Sequence, residues 1–366
     1  MKNKKNLLIV ITIVLFFVMF ITIDNKKSDK NIDNNYHYIP RDFLFHKELL
    51  SGDIETSLSI EILDEGEDIY IPKNNGYRYG PSIIYYDDGS MDAWFASNGN
   101  NSEWDWITYR HFDNNEWSDE EVVLRPTKKS KDHYSTCDPG IIYFDGYYYI
   151  GYTSTENSSM GGIENNIFVA RSKNPNGPYE KWNGKSWGKN PSPIITYENK
   201  DGAWGAGEIS FVILDDELYC YYSWIDLDGS YIKLAKASLS DDWPNTIKEI
   251  DTVIRRYSGQ GSFDVAYNDD YNKFLAFSIE NSFNAQSSIC VFESDDGINF
   301  RKVNDNLENI KMFAHNMGIS KKLDGHIGIN DELVLGYAYS KSSIMVWGRW
   351  AACMHKAKLK IIPRIN

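Results

Sequence analysis

The sequence of 366 residues predicts an all-β protein, on the strength of three observations. Short apolar runs recur from about residue 70 to residue 363, and none of them extends into a 3.6-residue periodicity. The turns between the runs are rich in Asp, Asn and Gly, as at residues 87–89, 269–270 and 295–297. Aromatic residues make up 14% of the chain, and residues of this type favour strands.

A longer repeat organises these runs. Five times, a polar step is followed by an apolar strand, an Asp/Gly-rich turn and an aromatic strand, and the copies start at Gly80, Asp138, Glu208, Asp264 and His315. Successive starts are 58, 70, 56 and 51 residues apart, about the size of a four-stranded propeller blade. We therefore predict a five-bladed β-propeller. Its last strands, around residues 349–361, complete the fifth blade, and an N-terminal strand is the candidate for closing the ring.

The N-terminal element is the only long apolar run of the chain, residues 7–23, and it follows Lys2, Lys4 and Lys5. A charged start before a hydrophobic stretch is typical of a secretory signal or a signal anchor. At 1.5 Å per residue the run covers roughly 26 Å, which is marginally sufficient for a membrane-spanning helix. Small residues that would mark a cleavage site are missing, so residues 1–23 are predicted to be an uncleaved anchor; a cleaved signal is the alternative.

The remaining boundaries follow from composition. Residues 24–37 are rich in Asn, Asp and Lys without periodicity, and we expect a flexible tether there. The propeller domain is predicted to occupy residues 38–366, on the extracellular face of the membrane or, if the signal is cleaved, secreted. A net charge of −14 argues against nucleic acid as a partner, because phosphates need a basic face.

Four cysteines, Cys137, Cys220, Cys290 and Cys353, fit no zinc-binding spacing. The last three lie in apolar strand-like runs and are expected to be buried free thiols. Cys137 precedes Asp138 directly, so a nucleophilic thiol is an alternative for this one residue.

Residues at the starts of the five inner strands should converge at one mouth of the channel, because inner strands of a propeller line a common axis. Carboxylates and an imidazole facing one polar funnel suit acid–base chemistry on a sugar. Asp138, Glu208 and Asp264 are therefore the catalytic candidates. Each also has a structural interpretation: Asp-Pro begins turns, a Glu at a strand entrance is often only solvated, and Asp264 fits either interpretation.

Aromatic and basic residues supply candidates for substrate binding. Trp104 and Trp106 flank Asp105 at a spacing that points both rings the same way on a strand, as a sugar-stacking platform or as packing between blades. Trp204 precedes Glu208 and would raise the pKa of an acid there by desolvation. The other candidates are His315, and Arg349 and Arg171, which would hold a substrate carboxylate or brace a blade.

Several of these motifs, in this order and spacing, resemble the five-bladed propeller glycosidases, chiefly glycoside hydrolase family 43 and its furanosidase relatives. The resemblance covers roughly residues 78–356 and is carried by residues 138–142 (DPGII), 145–149 (DGYYY), 152–154 (YTS), 170–172 (ARS), 174–179 (NPNGPY) and 207–211 (GEISF).

The resemblance implies an Asp base in the first blade, a pKa-tuning Asp in the second and a Glu acid in the third. Asp138 and Glu208 match the second and third positions, but the first-blade position is Gly80, so the expected base is absent. Candidates for a substitute carboxylate are Asp264, Asp105 and Asp324. The resemblance also implies a channel His, here His315, which in relatives sometimes holds water around calcium. The residues themselves predict no direct metal site and no cofactor.

These features predict a cell-surface, carbohydrate-active propeller that acts on an oligo- or polysaccharide. The favoured function is a glycoside hydrolase with Glu208 as general acid and Asp138 as orienting, pKa-tuning carboxylate or base. The alternative, favoured by Gly80, is a glycan-binding propeller without hydrolysis. A structural or protein-binding propeller is a third hypothesis. A second channel carboxylate close to Glu208 separates the enzyme from the other two.

The anchor leads to a direct test. Because residues 20–24 lack a cleavage motif, we expect the mature protein to retain residues 7–23 and to stay in the membrane fraction. Mass spectrometry of the mature N-terminus checks this, and an N-terminus beyond residue 24 would contradict it.

Overall fold

The structure is a computed structural model that describes residues 56–72, 76–100, 102–157, 162–256, 260–303, 307, 310–341 and 348–364. The first two strands are β1 (Thr56–Ile62) and β2 (Glu67–Tyr70). Blade I contains β3 (Arg78–Tyr85), β4 (Met91–Asn98), β5 (Asp105–Asp113), β6 (Glu116–Trp117) and β7 (Glu121–Leu124). Blade II contains β8 (Cys137–Phe144), β9 (Tyr147–Ser154), β10 (Asn166–Ser172), β11 (Glu180–Trp182) and β12 (Trp187–Gly188).

Blade III contains β13 (Gly205–Leu214), β14 (Glu217–Ile225), β15 (Ser230–Ser238) and β16 (Lys248–Arg255). Blade IV contains β17 (Phe263–Asn268), β18 (Lys273–Glu280), β19 (Ser288–Ser294) and β20 (Arg301–Lys302). Blade V contains β21 (His315–Lys321), β23 (Leu333–Tyr339) and β24 (Ala351–Pro363). Between β21 and β23, the short β22 (His326–Ile327) pairs in parallel with β17 of blade IV. Within the described residues the only helix is a single 3₁₀ turn, Trp243–Asn245.

Five inner strands, β3, β8, β13, β17 and β21, form the ring. Each contacts the inner strand of the next blade, and β21 closes the circle by pairing in parallel with β3, where Ser320 and Lys321 face Ile83 and Ile84. The prediction of an all-β, five-bladed propeller is therefore confirmed, and the five repeat starts all lie on these inner strands.

The N-terminal strand closes the ring, as expected. β1 is the outermost strand of blade V and pairs antiparallel with β24, from Thr56 opposite Pro363 to Ile62 opposite Ala357. Blade IV holds it from the side, because the buried Glu293 of β19 accepts hydrogen bonds from Ser57 Oγ (2.8 Å) and from the Leu58 amide (3.1 Å). The Glu293 carboxylate is also ion-paired with Arg301.

Aromatic side chains that follow the outer turns pack between blades. The fully buried ring of Trp243, in blade III, lies against Phe144 and Tyr149 of blade II and against Phe211 of its own blade. Burial of one such ring contributes about 1.5–3 kcal/mol or more to the free energy of unfolding. The repeated turn-then-aromatic pattern therefore fixes the angle between neighbouring blades.

A loop of blade V, residues 322–327, crosses the far end of the channel. Three inner strands donate backbone hydrogen bonds to it: Tyr143 to Leu323 (2.9 Å), Ile213 to Asp324 (2.9 Å) and Tyr267 to Gly325 (3.2 Å). Gly325 is required at the point of closest approach, because a Cβ atom there would lie 2.6 Å from the Phe211 carbonyl oxygen.

The predicted anchor (residues 1–23), the tether (24–37) and the predicted domain start at residue 38 lie outside the described residues and stay predictions. Among the residues that are described, no helix is both long enough and apolar enough to cross a membrane. All four cysteines are buried and free, as expected for Cys220, Cys290 and Cys353.

The hydrogen bonds between Glu293 and β1 predict a large effect of one substitution. Glu293→Ala removes the acceptor of two β1 hydrogen bonds and leaves Arg301 without its partner. We expect it to lower the free energy of unfolding by about 3–5 kcal/mol, the usual cost of breaking a buried ion pair. Denaturant unfolding measures the change.

Glu280→Ala is the matched control, since Glu280 pairs with Lys302 at 2.5 Å on the surface of the same blade. That change should cost less than about 1 kcal/mol. Equal effects of the two substitutions would show that Glu293 does not hold β1.

Candidate active site

A β-bulge at the mouth end of four inner strands positions the site. The pairing register shifts between Tyr79 and Ser82, Cys137 and Gly140, Gly207 and Ser210, and His315 and Met317. At each bulge one residue has a left-handed backbone, with φ of 55° at Gly80, 49° at Asp138, 52° at Glu208 and 44° at Asn316. Bulges re-aim side chains at active sites, and these four positions all line the channel mouth.

The mouth opens into a small cavity of about 30 Å³, enough for one or two water molecules. Its described lining consists of Gly80, Pro81, Ser82, Asp138, Pro139, Gly140, Glu208, Ile209, Ser210, Ser262, Phe263, Asp264, Asn316 and Met317. This lining contains three carboxyl side chains and no Lys, Arg or His. The cavity is therefore acidic, and its carboxyl groups are the candidates for chemistry.

Glu208 is held by two hydrogen bonds and an ion pair. Ser223 Oγ donates to Oε2 at 2.6 Å, Asn316 Nδ2 donates to Oε1 at 3.0 Å, and Arg256 Nη1 lies 3.9 Å from Oε2. The Glu208 amide donates to Thr153 Oγ1 at 2.9 Å and so fixes the backbone. The carboxyl group is thus fixed in place while its side chain remains partly exposed to the mouth.

Asp138 lies beside Glu208 and is 8% exposed. Its Oδ1 accepts from the same Asn316 Nδ2 at 3.4 Å, and its Oδ2 accepts from Cys137 Sγ at 3.4 Å. Burial, together with the negative charge of Glu208, raises the pKa of Asp138 to about 8. At neutral pH Asp138 therefore keeps its proton.

Asn316 also limits the separation of the two carboxyl groups. Because Glu208 Oε1 and Asp138 Oδ1 lie 3.0 and 3.4 Å from one nitrogen, these oxygens are at most 6.4 Å apart, the sum of the two distances. The structure thus places a second channel carboxyl group close to Glu208.

The first-blade position is open. A Cβ atom at Gly80 would lie 3.5 Å from Cα and Oδ1 of Asp138, an ordinary contact distance, with no other described atom within 4 Å. The backbone there has the same left-handed conformation that carries a side chain in blades II, III and V. Blade I therefore has the backbone for a carboxyl group but not the side chain.

None of the three candidate substitutes occupies that space. Asp264 lines the cavity, but its oxygens are taken by Lys321 Nζ (2.6 Å), Ser210 Oγ (2.7 Å) and the Ile319 amide (2.9 Å). Because β17 has no bulge, Asp264 lies on the regular ladder and ties blades III, IV and V together. The structure thus supports the structural interpretation of Asp264.

Asp105 and Asp324 lie outside the cavity lining. Asp105 accepts from Tyr77 Oη at 2.6 Å and from Ser135 Oγ at 2.8 Å, and burial raises its pKa. Asp324 belongs to the loop at the far end of the channel, where its side chain is 49% exposed. Neither carboxyl group replaces the missing base.

His315 was expected at the channel mouth, but Asn316 occupies that position. The His315 ring packs between Phe283 (4.6 Å), Trp350 (4.2 Å) and Tyr79 (6.1 Å), and burial lowers its pKa to about 3. The physical reason is the bulge, which moves the channel-facing position by one residue. Comparing residues 316–319 (NMGI) with 138–141 (DPGI) would have revealed Asn316, since the Gly falls two residues later in both.

Trp104 and Trp106 do not form one sugar-stacking platform. Trp104 stacks on Tyr134 at 5.1 Å, whereas Trp106 packs against the Arg125 guanidinium at 4.3 Å. Trp204 is nearer to the catalytic candidates, because its ring lies over Gly207, where a Cβ atom would come within 2.5 Å of it. Of the predicted stacking residues, Trp204 is the one placed directly beside Glu208.

The two arginines differ in placement. Arg171 pairs with Asp241 and lies over the rings of Tyr147 (4.2 Å) and Trp187 (4.5 Å), so it braces blades II and III. Arg349 is exposed and is not part of the cavity lining. Neither guanidinium faces the Asp138–Glu208 pair.

Two further sequence hypotheses concern Cys137 and a metal ion. Burial and the neighbouring carboxylates raise the pKa of the Cys137 thiol well above its usual range, which disfavours a thiolate nucleophile. Among the described residues, no group of three or more His, Cys, Asp or Glu side chains is arranged to hold a cation. His315, which the resemblance would assign to water around calcium, is enclosed by aromatic rings.

Solved structures share this architecture. A family 117 glycoside hydrolase from Zobellia galactanivorans has 14% sequence identity and a TM-score of 0.58, over 84% of this chain and 91% of its own. An α-L-arabinofuranosidase from Podospora anserina, in complex with cellotriose, has 12% identity and a TM-score of 0.57, over 80% and 95%. A thermostable family-43 glycoside hydrolase has 14% identity and a TM-score of 0.58, over 82% and 99%.

The chain has the five-bladed propeller fold of these glycoside hydrolases. The resemblance predicted from the sequence motifs is thereby confirmed for the fold. No protein-family model and no curated protein matches the sequence.

The raised pKa of Asp138 predicts a pH-dependent stability. Folded Asp138 keeps its proton up to about pH 8, whereas an unfolded Asp loses it near pH 4, so this group's contribution to stability is lost as pH rises between those values. Asp138→Asn stays neutral and avoids the loss. We expect the variant to melt at least about 2 °C above the wild type at pH 9, the shift that ~1 kcal/mol produces in a large domain.

At pH 4, where an unfolded Asp is still partly protonated, the two proteins should differ little. Asp228→Asn, in an exposed turn, is the control and should shift melting equally at both pH values. A difference between Asp138→Asn and wild type that is the same at pH 4 and pH 9 would contradict a raised pKa.

Proposed function

We propose that this protein is a cell-surface glycoside hydrolase that acts on an oligo- or polysaccharide, with Glu208 as general acid and Asp138 as the orienting, pKa-tuning carboxyl group. The observation that carries the proposal is the bridged pair. Two carboxyl groups from adjacent blades share one amide donor at an open mouth, and one of them, Asp138, keeps its proton near neutral pH. Pairs of carboxyl groups in different environments are the usual apparatus of glycoside hydrolysis.

The exposure of the two groups supports the division of roles. Asp138 is buried, whereas Glu208 is partly exposed toward the mouth, beside the Trp204 ring. A leaving-group oxygen of a bound sugar can therefore approach Glu208 more closely than Asp138. The proton rests on Asp138 in the free protein, and a hydrogen-bond donor on the substrate that binds Asp138 favours its ionised form and so moves the proton to Glu208.

Carbohydrate as the substrate class is supported by the setting. The cavity lies in an aromatic-rich mouth, and Trp204 offers a flat apolar face on which a sugar ring stacks. Structures with the same fold are glycoside hydrolases, one of them in complex with cellotriose. The cell-surface location rests on the predicted anchor in residues 1–23.

Gly80 favours a second candidate function, a glycan-binding propeller without turnover. If hydrolysis needs a carboxylate in blade I, the open position leaves a cup that binds sugar and does not cut it. Both functions predict glycan binding, and only the enzyme predicts loss of turnover in variants of the pair.

Glu208→Gln separates the two functions. Gln keeps the shape, accepting from Asn316 through its oxygen and donating to Ser223 Oγ, but it has no transferable proton. Hydrolysis of the best substrate from a panel of aryl glycosides should fall by about 10²–10⁴-fold, the usual worth of general acid–base catalysis, while glycan binding persists. Glu164→Gln, a carboxyl group on a mouth loop outside the cavity lining, is the control and should keep wild-type rates.

The pH profile tests the pairing. Wild-type activity should fall as pH rises through about 8, because the pair then loses its shared proton. Asp138→Asn should lower the rate and move this alkaline limb to lower pH. Unchanged hydrolysis in Glu208→Gln would remove Glu208 from the mechanism, and an absence of turnover in all variants and the wild type would favour the glycan-binding function.

A further inference from the structure

The Asp138–Glu208 pair accounts for two of the three carboxyl groups that the resemblance to propeller glycosidases implies for hydrolysis. One carboxyl group gives a proton to the leaving oxygen and the other orients the sugar. Among the described side chains, none is a candidate for the group that attacks the anomeric carbon or activates water to do so: blade I carries Gly80 at the mouth, Asp264 is bound by Lys321, and Asp105 lies outside the cavity lining. The space for such a group is nevertheless present beside Asp138.

The surroundings of that space define what fits it. The described lining of the cavity has three carboxyl groups and no cationic side chain, so a substrate carboxylate or sulfate placed there would meet no cationic partner in that lining. The nearest cations are committed: Lys321 to Asp264, and Arg256 to Glu208 and the Gln260 carbonyl (2.7 Å). A neutral group with an N–H donor and a carbonyl acceptor matches better, because Asp138 can accept its N–H.

We propose that the substrate itself supplies the missing group: the protein cleaves glycosides of 2-acetamido sugars, and the acetamide occupies the space left open at Gly80. The inference rests on the proposed hydrolase function and specifies its substrate class. The acetamide is neutral and is attached to the carbon next to the anomeric carbon. Its N–H can donate to Asp138, and its carbonyl oxygen is the attacking group that no described side chain supplies.

The reaction balances with the groups present. The acetamide carbonyl oxygen forms a bond to the anomeric carbon while the bond to the leaving oxygen breaks, and Glu208 gives that oxygen its proton. Asp138 accepts the acetamide N–H and stabilises the positive charge that develops on the resulting oxazolinium ring. Glu208, now ionised, removes a proton from water, which opens the ring and regenerates the acetamide, so the configuration at the anomeric carbon is retained overall.

This chemistry requires the acetamide to attack from the face opposite the leaving group. Substrates of gluco or galacto configuration must therefore be β-glycosides, in which the two groups are trans. The decisive comparison uses 4-nitrophenyl β-glycosides of each sugar with a 2-acetamido, a 2-trifluoroacetamido or a 2-hydroxyl group. We expect the acetamido compound to react at least about 10²-fold faster than the hydroxyl compound, a modest share of the advantage of an intramolecular nucleophile.

The trifluoroacetamido compound should also be at least about tenfold slower than the acetamido compound, because fluorine withdraws electrons from the attacking oxygen. A thiazoline that mimics the cyclic intermediate should inhibit competitively and should bind Glu208→Gln as well. Equal rates across the three substituents would overturn the inference and leave the hydrolase function standing. No turnover of any glycoside in a wider panel would overturn the hydrolase function, and the inference with it.

Two isosteric variants test the space itself. Gly80→Asn and Gly80→Asp add side chains of equal size that the left-handed backbone tolerates, as blades II and V already carry Asp and Asn there. Both should lower kcat/KM for the acetamido substrate by at least about tenfold, the effect of a displaced near-attack geometry. Only Gly80→Asp, which adds a carboxylate, should gain activity on the hydroxyl substrate.

Gly80→Ala is the folding control, because its Cβ atom fits at 3.5 Å, and it should keep more activity on the acetamido substrate than Gly80→Asn. Wild-type activity on that substrate in Gly80→Asn would show that the acetamide does not occupy this space.

Discussion

A single backbone distortion, repeated in four of the five inner strands, turns one residue of each strand toward the channel mouth. On a regular inner strand, side chains alternate between the two faces of the blade, so none is aimed along the axis. The bulge with its left-handed residue breaks that alternation at the mouth and turns one side chain inward. Non-glycine residues adopt this conformation at a cost, and at Asp138, Glu208 and Asn316 the surrounding hydrogen bonds offset it. The blade without a bulge, blade IV, contributes an ion pair to the core of the ring instead.

Three buried carboxylates are paired with a cation. Asp264 pairs with Lys321 of the next blade, Asp132 pairs with Lys181, and Glu293 pairs with Arg301 on the neighbouring strand of blade IV. At the mouth the compensation is incomplete by one group, because Glu208 has Arg256 nearby and Asp138 has no cation. Burial and the negative charge of Glu208, with no cation in contact, raise the pKa of Asp138, and this separates a potential catalytic pair from the structural pairs deeper in the ring.

The fold was predictable because each blade has its own local pattern of strands and turns in the sequence. Alignment of these repeats also placed Asp138 and Glu208 at equivalent positions. The wrong predictions have two causes, a contact between blades and a register shift within one strand. Asp264 looked catalytic because its partner Lys321 lies 57 residues later, on another blade. The repeat points to His315 rather than Asn316 because the bulge moves the inward-facing position by one residue. The alternation of apolar residues in the sequence does not reveal this shift. That Gly80 lacks a side chain was evident from the sequence, but only the structure shows that no neighbour fills the space.

The closing strand has a consequence for biosynthesis. β1 is made early and pairs with β24, the final strand, so its partner is the last part of the domain to be synthesised. Until β24 has been synthesised, β1 presents an unpaired edge while blades I to IV assemble from local hairpins, and blade V stays incomplete. Pairing between the two ends of a domain carries a large loop-closure cost, which makes closure a late and slow step. A ribosome-bound or C-terminally truncated chain would therefore expose the edge of β1. It would also expose Glu293, which accepts hydrogen bonds from β1 and is buried in the complete fold.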